Sequence, residues 1–191
     1  YFIDLQPLLK EGLISEEEYS GLSELPRDHV DYGALYHAIW PILRLAYDRF
    51  KSSKKKQFLD YGTVAKFRKN QGHWLEDYVL FISLKESFGG ECWLEWPSEY
   101  RDAHLAKSTE LSSGVKNTAD AHVFFQYIFY AQLAKLRAYA GSRGVAIMGD
   151  APIFVALDSS DVWANSELFQ IKKNGQPKAV AGVPPDYFAE D

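Results

Sequence analysis

Between positions 144 and 150 the chain reads GVAIMGD, four consecutive apolar residues that stop at a glycine and a carboxylate before an Ala-Pro-Ile turn. A half-exposed strand would alternate polar and apolar residues. An unbroken run such as Val145-Ala146-Ile147-Met148 instead suits a strand buried on both faces of a parallel sheet. Just upstream, VFFQYIFYAQLAKLRAYA forms most of the longest apolar helix the pattern predicts, from about 119 to 140 and capped at Gly141. Helix, short loop and buried strand make the second half of a βαβ unit, so an earlier parallel strand is implied, although none is obvious between residues 1 and 118. The fold class expected is therefore α/β. Ligands in such folds gather at the carboxyl ends of the strands, where Asp150 stands; its carboxylate either meets a ligand or fixes the Pro152 turn.

The residues after Asp150 continue the theme of a presented surface. Asp158 and Ser159 read as the cap of a helix that carries Val162 and Trp163. Asn174-Gly175, between two short extended runs, is a strong hairpin signal. The second arm leads to Gly182-Val183-Pro184-Pro185-Asp186-Tyr187-Phe188, in which two prolines stiffen a loop that offers a carboxylate and two aromatic rings.

The first hundred residues read as helices. Ser15 with Glu18 three places on has the form of a capping box. Apolar positions recur at helical spacing from 31 to 50, with Pro41 expected to kink or interrupt the rod. Further helices are predicted over 57–70 and 74–88, the latter apolar almost all round and closed by Gly89-Gly90. Trp93 and Trp96 fall in a loop, where packing is favoured over a sugar platform.

Composition excludes several classes. A net charge of -5 and a pI near 5.6 leave no basic footprint for nucleic acid, and the cluster around Lys54, Lys55 and Lys56 reads as a solvated loop. The longest stretch without a formal charge is too short and polar to span a bilayer. One cysteine, Cys92, fits a reducing compartment and has no histidine placed to activate it. The five histidines show no paired-ligand spacing and no glycine-rich phosphate loop is present, so neither metal nor cofactor is expected.

GDAPIFVALDSSDVWAN, the hairpin and VAGVPPDYF, together with YFIDLQPLLKEGLIS, VDYGALY and HWLEDYVLFISLKESFGG in the same order, closely resemble the 4-alpha-glucanotransferases of the alpha-amylase clan. These enzymes are called amylomaltase in bacteria and disproportionating enzyme in plants. The resemblance runs the length of the chain. It implies a fragment of a (β/α)8 TIM barrel: residues 1–75 a mainly helical inserted subdomain, 76–150 a helix-helix-strand portion of the barrel, and 151–191 a hairpin-containing subdomain over the active-site mouth.

It also implies transfer of alpha-1,4-glucan segments to glucose or another glucan by a retaining mechanism, which requires a carboxylate nucleophile and a carboxylic acid. The motifs that would carry these groups and a third acidic residue all lie beyond Asp191, so no catalytic residue is expected within the chain. Substrate contacts are expected at Asp150, at Asp186, Tyr187 and Phe188 in the loop that covers the glucan cleft, and at Tyr36, which matches a tyrosine of a second glucan-binding groove. A maltooligosaccharide is the expected partner, without cofactor, nucleic acid or membrane, in the cytoplasm or, in a plant or alga, the plastid. A hydrolytic or branching enzyme of the same clan and a non-catalytic glucan-binding or helical interaction module remain as alternatives.

Overall fold

The computed structural model describes residues 2–172, 174–179 and 182. Among them the regular structure is helical: α1 (Gln6–Lys10), α2 (Glu16–Ser20), α3 (Tyr32–Ser52), α4 (Val64–Ser87), α5 (Ser98–Arg101), α6 (Ala103–Ser108), α7 (Ser113–Ser142) and α8 (Ser160–Ala164). The chain divides into two compact units, Tyr1–Leu75 with Asn117–Met148, and Glu76–Lys116 with Gly149–Asp191.

In the first unit, α3 buries Ile39, Ile42, Leu43, Ala46, Tyr47 and Phe50, an i, i+3, i+4, i+7 stripe. It packs with Ala121, Phe124, Phe125 and Ile128, the corresponding stripe of α7, in one core. Phe50 and Phe124 have ring centroids 4.8 Å apart. Burying each such side chain stabilises the unit by about 1.5–3 kcal/mol relative to exposure, which explains why α3 runs unbroken through Pro41 despite the lost backbone hydrogen bond. Asp31 caps α3 by accepting the Ala34 N–H at 2.9 Å. The capping box of α2 is complete: Ser15 Oγ accepts from Glu18 N, and Ser15 N donates to Glu18 Oε2 at 2.7 Å. Glu18 also takes both arms of Arg49 at 2.6 and 2.7 Å, tying α2 to α3. These bonds hold its carboxyl well below the usual range, at about 2, the Arg49 hydrogen bond contributing most. The Tyr127 hydroxyl, fully buried, accepts from Phe58 N at 2.8 Å and donates to Gly62 O at 2.7 Å, pinning the loop between α3 and α4. Burial pushes this phenol up, as it does that of Tyr47, which reaches about 12.

In the second unit, Phe81, Leu84, Trp93, Trp96, Val162 and Trp163 form a separate core. Trp93 and Trp96 are packing residues, as expected, and the indole N–H of Trp96 donates to Glu91 O at 3.0 Å.

The predicted strand did not form. Helix α7 extends to Ser142 and closes through Gly144, at φ +72°, with Val145 N donating to Ala140 O at 2.9 Å. Residues 145–150 have no regular structure, and Val145, Ile147 and Met148 are 58%, 45% and 94% exposed. The physical reason is that a parallel strand needs neighbours to take its backbone N–H and C=O groups. No strand exists among the described residues; isolated antiparallel bridges join Gln57 to Thr63 and Ile171 to Pro177. The α/β class is thus corrected to a mainly helical fragment over the described residues. The two helices predicted over 57–70 and 74–88 are a single one, α4, which starts only at Val64 after a non-helical stretch from Gln57 to Thr63 and which accommodates Gly72 in its interior.

Candidate functional site

In the second unit Asp150 is exposed at the head of an irregular segment. Its Oδ1 accepts the N–H of Ala151 at 2.8 Å, which leaves Oδ2 open to a ligand while also shaping the Pro152 turn. Both roles read from the sequence are therefore compatible. The segment then passes the exposed Ile153, Phe154 and Val155 before it is anchored.

The anchor is Asp158. Ser159 alone caps α8, its Oγ accepting from Val162 N at 3.3 Å. Asp158 is half-buried and turns instead to Lys85 of α4, with which it forms a close ion pair, while its other oxygen faces Trp93 N at 3.4 Å. The Trp93 indole N–H donates to Leu157 O at 2.8 Å, so two consecutive residues are fastened to the same corner of the core. Sequence reasoning missed this arrangement because Lys85 lies 73 positions from Asp158, too far for any periodic signal.

The Asn174-Gly175 turn closes a hairpin as expected: Gly175 N donates to Lys172 O at 2.8 Å and Lys172 N to Gln176 O at 2.7 Å. Gly175 is at φ +81°, a backbone conformation that L side chains rarely adopt, and a Cβ there would stand 2.1 Å from Leu94 Cδ2, so a side chain at this position would strain the turn and displace Leu94. Between this hairpin, α5, the start of α6 and α8 is a cleft of about 580 Å³ with Trp93 and Trp163 in its wall and Arg101, Asp102, Glu167 and Lys172 around it.

Tyr36 lies in the first unit, on α3, half exposed, with edge contacts to His37 and Trp40 at centroid distances of 5.5 and 6.1 Å. Trp40 in turn meets Phe125 at 5.6 Å. The ring is thus braced by the core at one side and open at the other, which suits stacking on a sugar ring. Asp186, Tyr187 and Phe188 lie outside the described residues. Among the described residues, no group of three or more His, Cys, Asp or Glu side chains could hold a metal ion, and no helix is long and apolar enough to cross a membrane.

Comparison with known proteins gives these features a context. The 4-alpha-glucanotransferase family model matches residues 1–191. The 4-alpha-glucanotransferase of Thermus thermophilus is 40% identical over 190 residues, covering 100% of this chain and 37% of that protein. The one from Streptococcus pneumoniae serotype 4 is 37% identical over 196 residues, 99% of this chain and 37% of that protein. The chloroplastic/amyloplastic 4-alpha-glucanotransferase of Solanum tuberosum is 36% identical over 190 residues, 98% of this chain and 32% of that protein. In three dimensions the chain matches the amylomaltase from Streptococcus agalactiae in complex with acarbose, with a TM-score of 0.82 and 32% identity over 99% of this chain and 38% of that one. The chain belongs to the 4-alpha-glucanotransferase family, and it spans about a third of the length of the relatives it matches.

Proposed function

We propose that this chain is the glucan-handling portion of a 4-alpha-glucanotransferase that moves alpha-1,4-glucan segments onto glucose or another glucan. The observation that carries the proposal is the continuous match of all 191 residues to the family, joined to the likeness to an amylomaltase bound to acarbose. In the whole protein, residues 145–148 would become a strand of a (β/α)8 barrel once neighbouring strands take up their backbone groups. Residues 1–75 would be the helical insertion and 151–191 the subdomain over the mouth.

In a retaining transfer, a carboxylate attacks the anomeric carbon as the glycosidic bond breaks, and a carboxylic acid gives its proton to the departing oxygen. An acceptor hydroxyl then displaces the enzyme carboxylate and gives its proton back to the residue that had acted as the acid. We assign neither carboxylate to this chain. Its residues bind and shield. Asp150 accepts hydrogen bonds from sugar hydroxyls, Tyr36 offers a stacking face to a second stretch of glucan, and Asp186, Tyr187 and Phe188 cover the cleft so that an acceptor sugar rather than water resolves the intermediate.

The test is replacement of Tyr187 and Phe188 by Ala in the full-length protein, with maltotriose as substrate and chromatography of the products. The ratio of hydrolysis to transfer should rise while the melting temperature holds. An unchanged ratio with a lower melting temperature would make the rings packing residues, and absence of any transfer in the unaltered full-length protein would favour a non-catalytic glucan-binding module.

A further inference from the structure

We propose that a cleft in the first unit binds a phosphate monoester. The site lies outside the residues assigned to glucan handling, so it goes beyond the function proposed above and does not depend on it.

The cleft has a volume of about 520 Å³ and is bordered by the end of α3, the loop that follows, the start of α4 and part of α7. Five cations surround it, Lys51, Lys54, Lys55, Lys56 and Arg68, against one carboxylate, Asp120. That local excess runs against the chain's net charge of -5. In the sequence Lys54, Lys55 and Lys56 read as a solvated loop. In the fold the loop is turned back on α4, with Val64 N donating to Lys56 O at 3.0 Å and Gln57 bridged to Thr63, so the lysines are gathered beside Lys51 and Arg68.

Partners divide the five. Arg68 pairs with Asp120 at 3.2 Å and Lys55 with Glu11 at 3.6 Å, so each of these charges has a carboxylate. Lys51 donates to Asn117 Oδ1 at 2.6 Å, a neutral group that orients the ammonium without cancelling its charge. Its place in the last turn of α3 follows from the helix dipole, which favours a cation there. Lys54 and Lys56 stand beyond that turn, and their side chains have no hydrogen bond or ion pair among the described residues. Lys54 is also at φ +56°, just after the α3 C-cap Ser53, a left-handed position where glycine is the usual and unstrained residue. A strained lysine with an unmatched charge is accounted for if its ammonium has a ligand.

The kind of cation selects the anion. A planar carboxylate is best met by the fork of a guanidinium, and the guanidinium at this cleft is engaged by Asp120. Ammonium groups act as point charges with three N–H donors each, which suits a tetrahedral dianion rich in acceptor oxygens. A phosphate group alone fills a small part of the cleft, and the rest of the space takes the body of an ester.

The experiment titrates the full-length protein carrying this segment with phenyl phosphate, glucose 6-phosphate and, as an uncharged reference, phenol, by isothermal titration calorimetry at low ionic strength. Phenyl phosphate should bind where phenol does not. In the double variant Lys54→Ala, Lys56→Ala its affinity should fall by about tenfold or more, because two charge-assisted hydrogen bonds are removed. Lys10→Ala with Lys178→Ala removes the same charge away from the cleft and should leave the affinity nearly unchanged. Lys54→Gly separates binding from folding: with the left-handed strain relieved, the melting temperature should hold or rise while the affinity falls.

Equal affinity for the two esters would identify small organic phosphates in general as the source. Tighter binding of glucose 6-phosphate, lost in the same Lys54 and Lys56 variant, would identify a phosphate borne on a sugar. Phenyl phosphate that gives no heat, or that binds no better than phenol, overturns the site. So does an affinity that the Lys54 and Lys56 variant leaves unchanged, or that the Lys10 and Lys178 variant lowers equally. None of these readouts is transfer, so their failure leaves the proposed function standing.

Discussion

Glu18→Gln tests how the first unit is held together. The wild-type carboxylate receives two bonds from Arg49 and one from the Ser15 N–H of the α2 capping box, and its pKa falls from 4.5 to about 2. A group whose folded pKa is depressed stabilises the fold above its unfolded pKa and loses that contribution as pH falls through the folded value. The window is therefore from about pH 4.5 down to about pH 2. The full shift would correspond to roughly 3 kcal/mol, but Arg49 is 41% exposed, and solvent screening reduces the expected contribution to about 1–2 kcal/mol. Glutamine keeps the shape and can still accept from one side, so the variant should lose about 1–2 kcal/mol at pH 7 in urea unfolding followed by circular dichroism. The gap between the two proteins should close as pH approaches about 2. A gap of equal size at pH 7 and at the acid end would show that the effect is steric rather than ionic, and no gap at pH 7 would refute the coupling.

Three other substitutions have defined outcomes. Tyr127→Phe should cost about 1–3 kcal/mol, because the buried Phe58 N–H loses its acceptor, and urea unfolding will read it. Gly175→Ala should loosen the hairpin, since the residue sits at φ +81° and the new Cβ must also displace Leu94; amide exchange at Lys172, whose N–H is bonded to Gln176, should accelerate while exchange in α3 is unaffected. Lys85→Met removes the cation from half-buried Asp158 and should lower the melting temperature and alter the near-ultraviolet dichroism of Trp93, with a loss of about 1–3 kcal/mol; Asp158→Asn in the same background should then cost little more.

The features legible in the sequence are those whose causes are local. The Ser15 capping box, the buried stripe of α3 and the Asn174-Gly175 turn each depend on residues within a few positions of one another, and each is present in the structure. Pro41 does not interrupt α3 because its penalty is local while the packing that outweighs it, against Phe124 and Phe125 of α7, is not. The run of residues 145–148 was read correctly as apolar but not as to its outcome. Strand formation is a property of the neighbours, and among the described residues none is a strand. At the candidate site Asp150 could be nominated by its place after an apolar run, and Tyr36 only through a family resemblance. The Lys85–Asp158 anchor and the cleft beside the hairpin arise from residues brought together across 73 and more than 60 positions, where no spacing rule reaches.

The central claim is that this chain supplies the glucan-handling part of a 4-alpha-glucanotransferase. Its most direct test is to put these 191 residues in place of the matching 37% of the Thermus thermophilus relative and to incubate the chimera with maltotriose. Glucose together with longer maltodextrins is the predicted result, and replacing Asp150 by Ala in the chimera should weaken that transfer at least tenfold by removing a charged sugar contact. A chimera that melts cooperatively but leaves maltotriose untouched would contradict the claim.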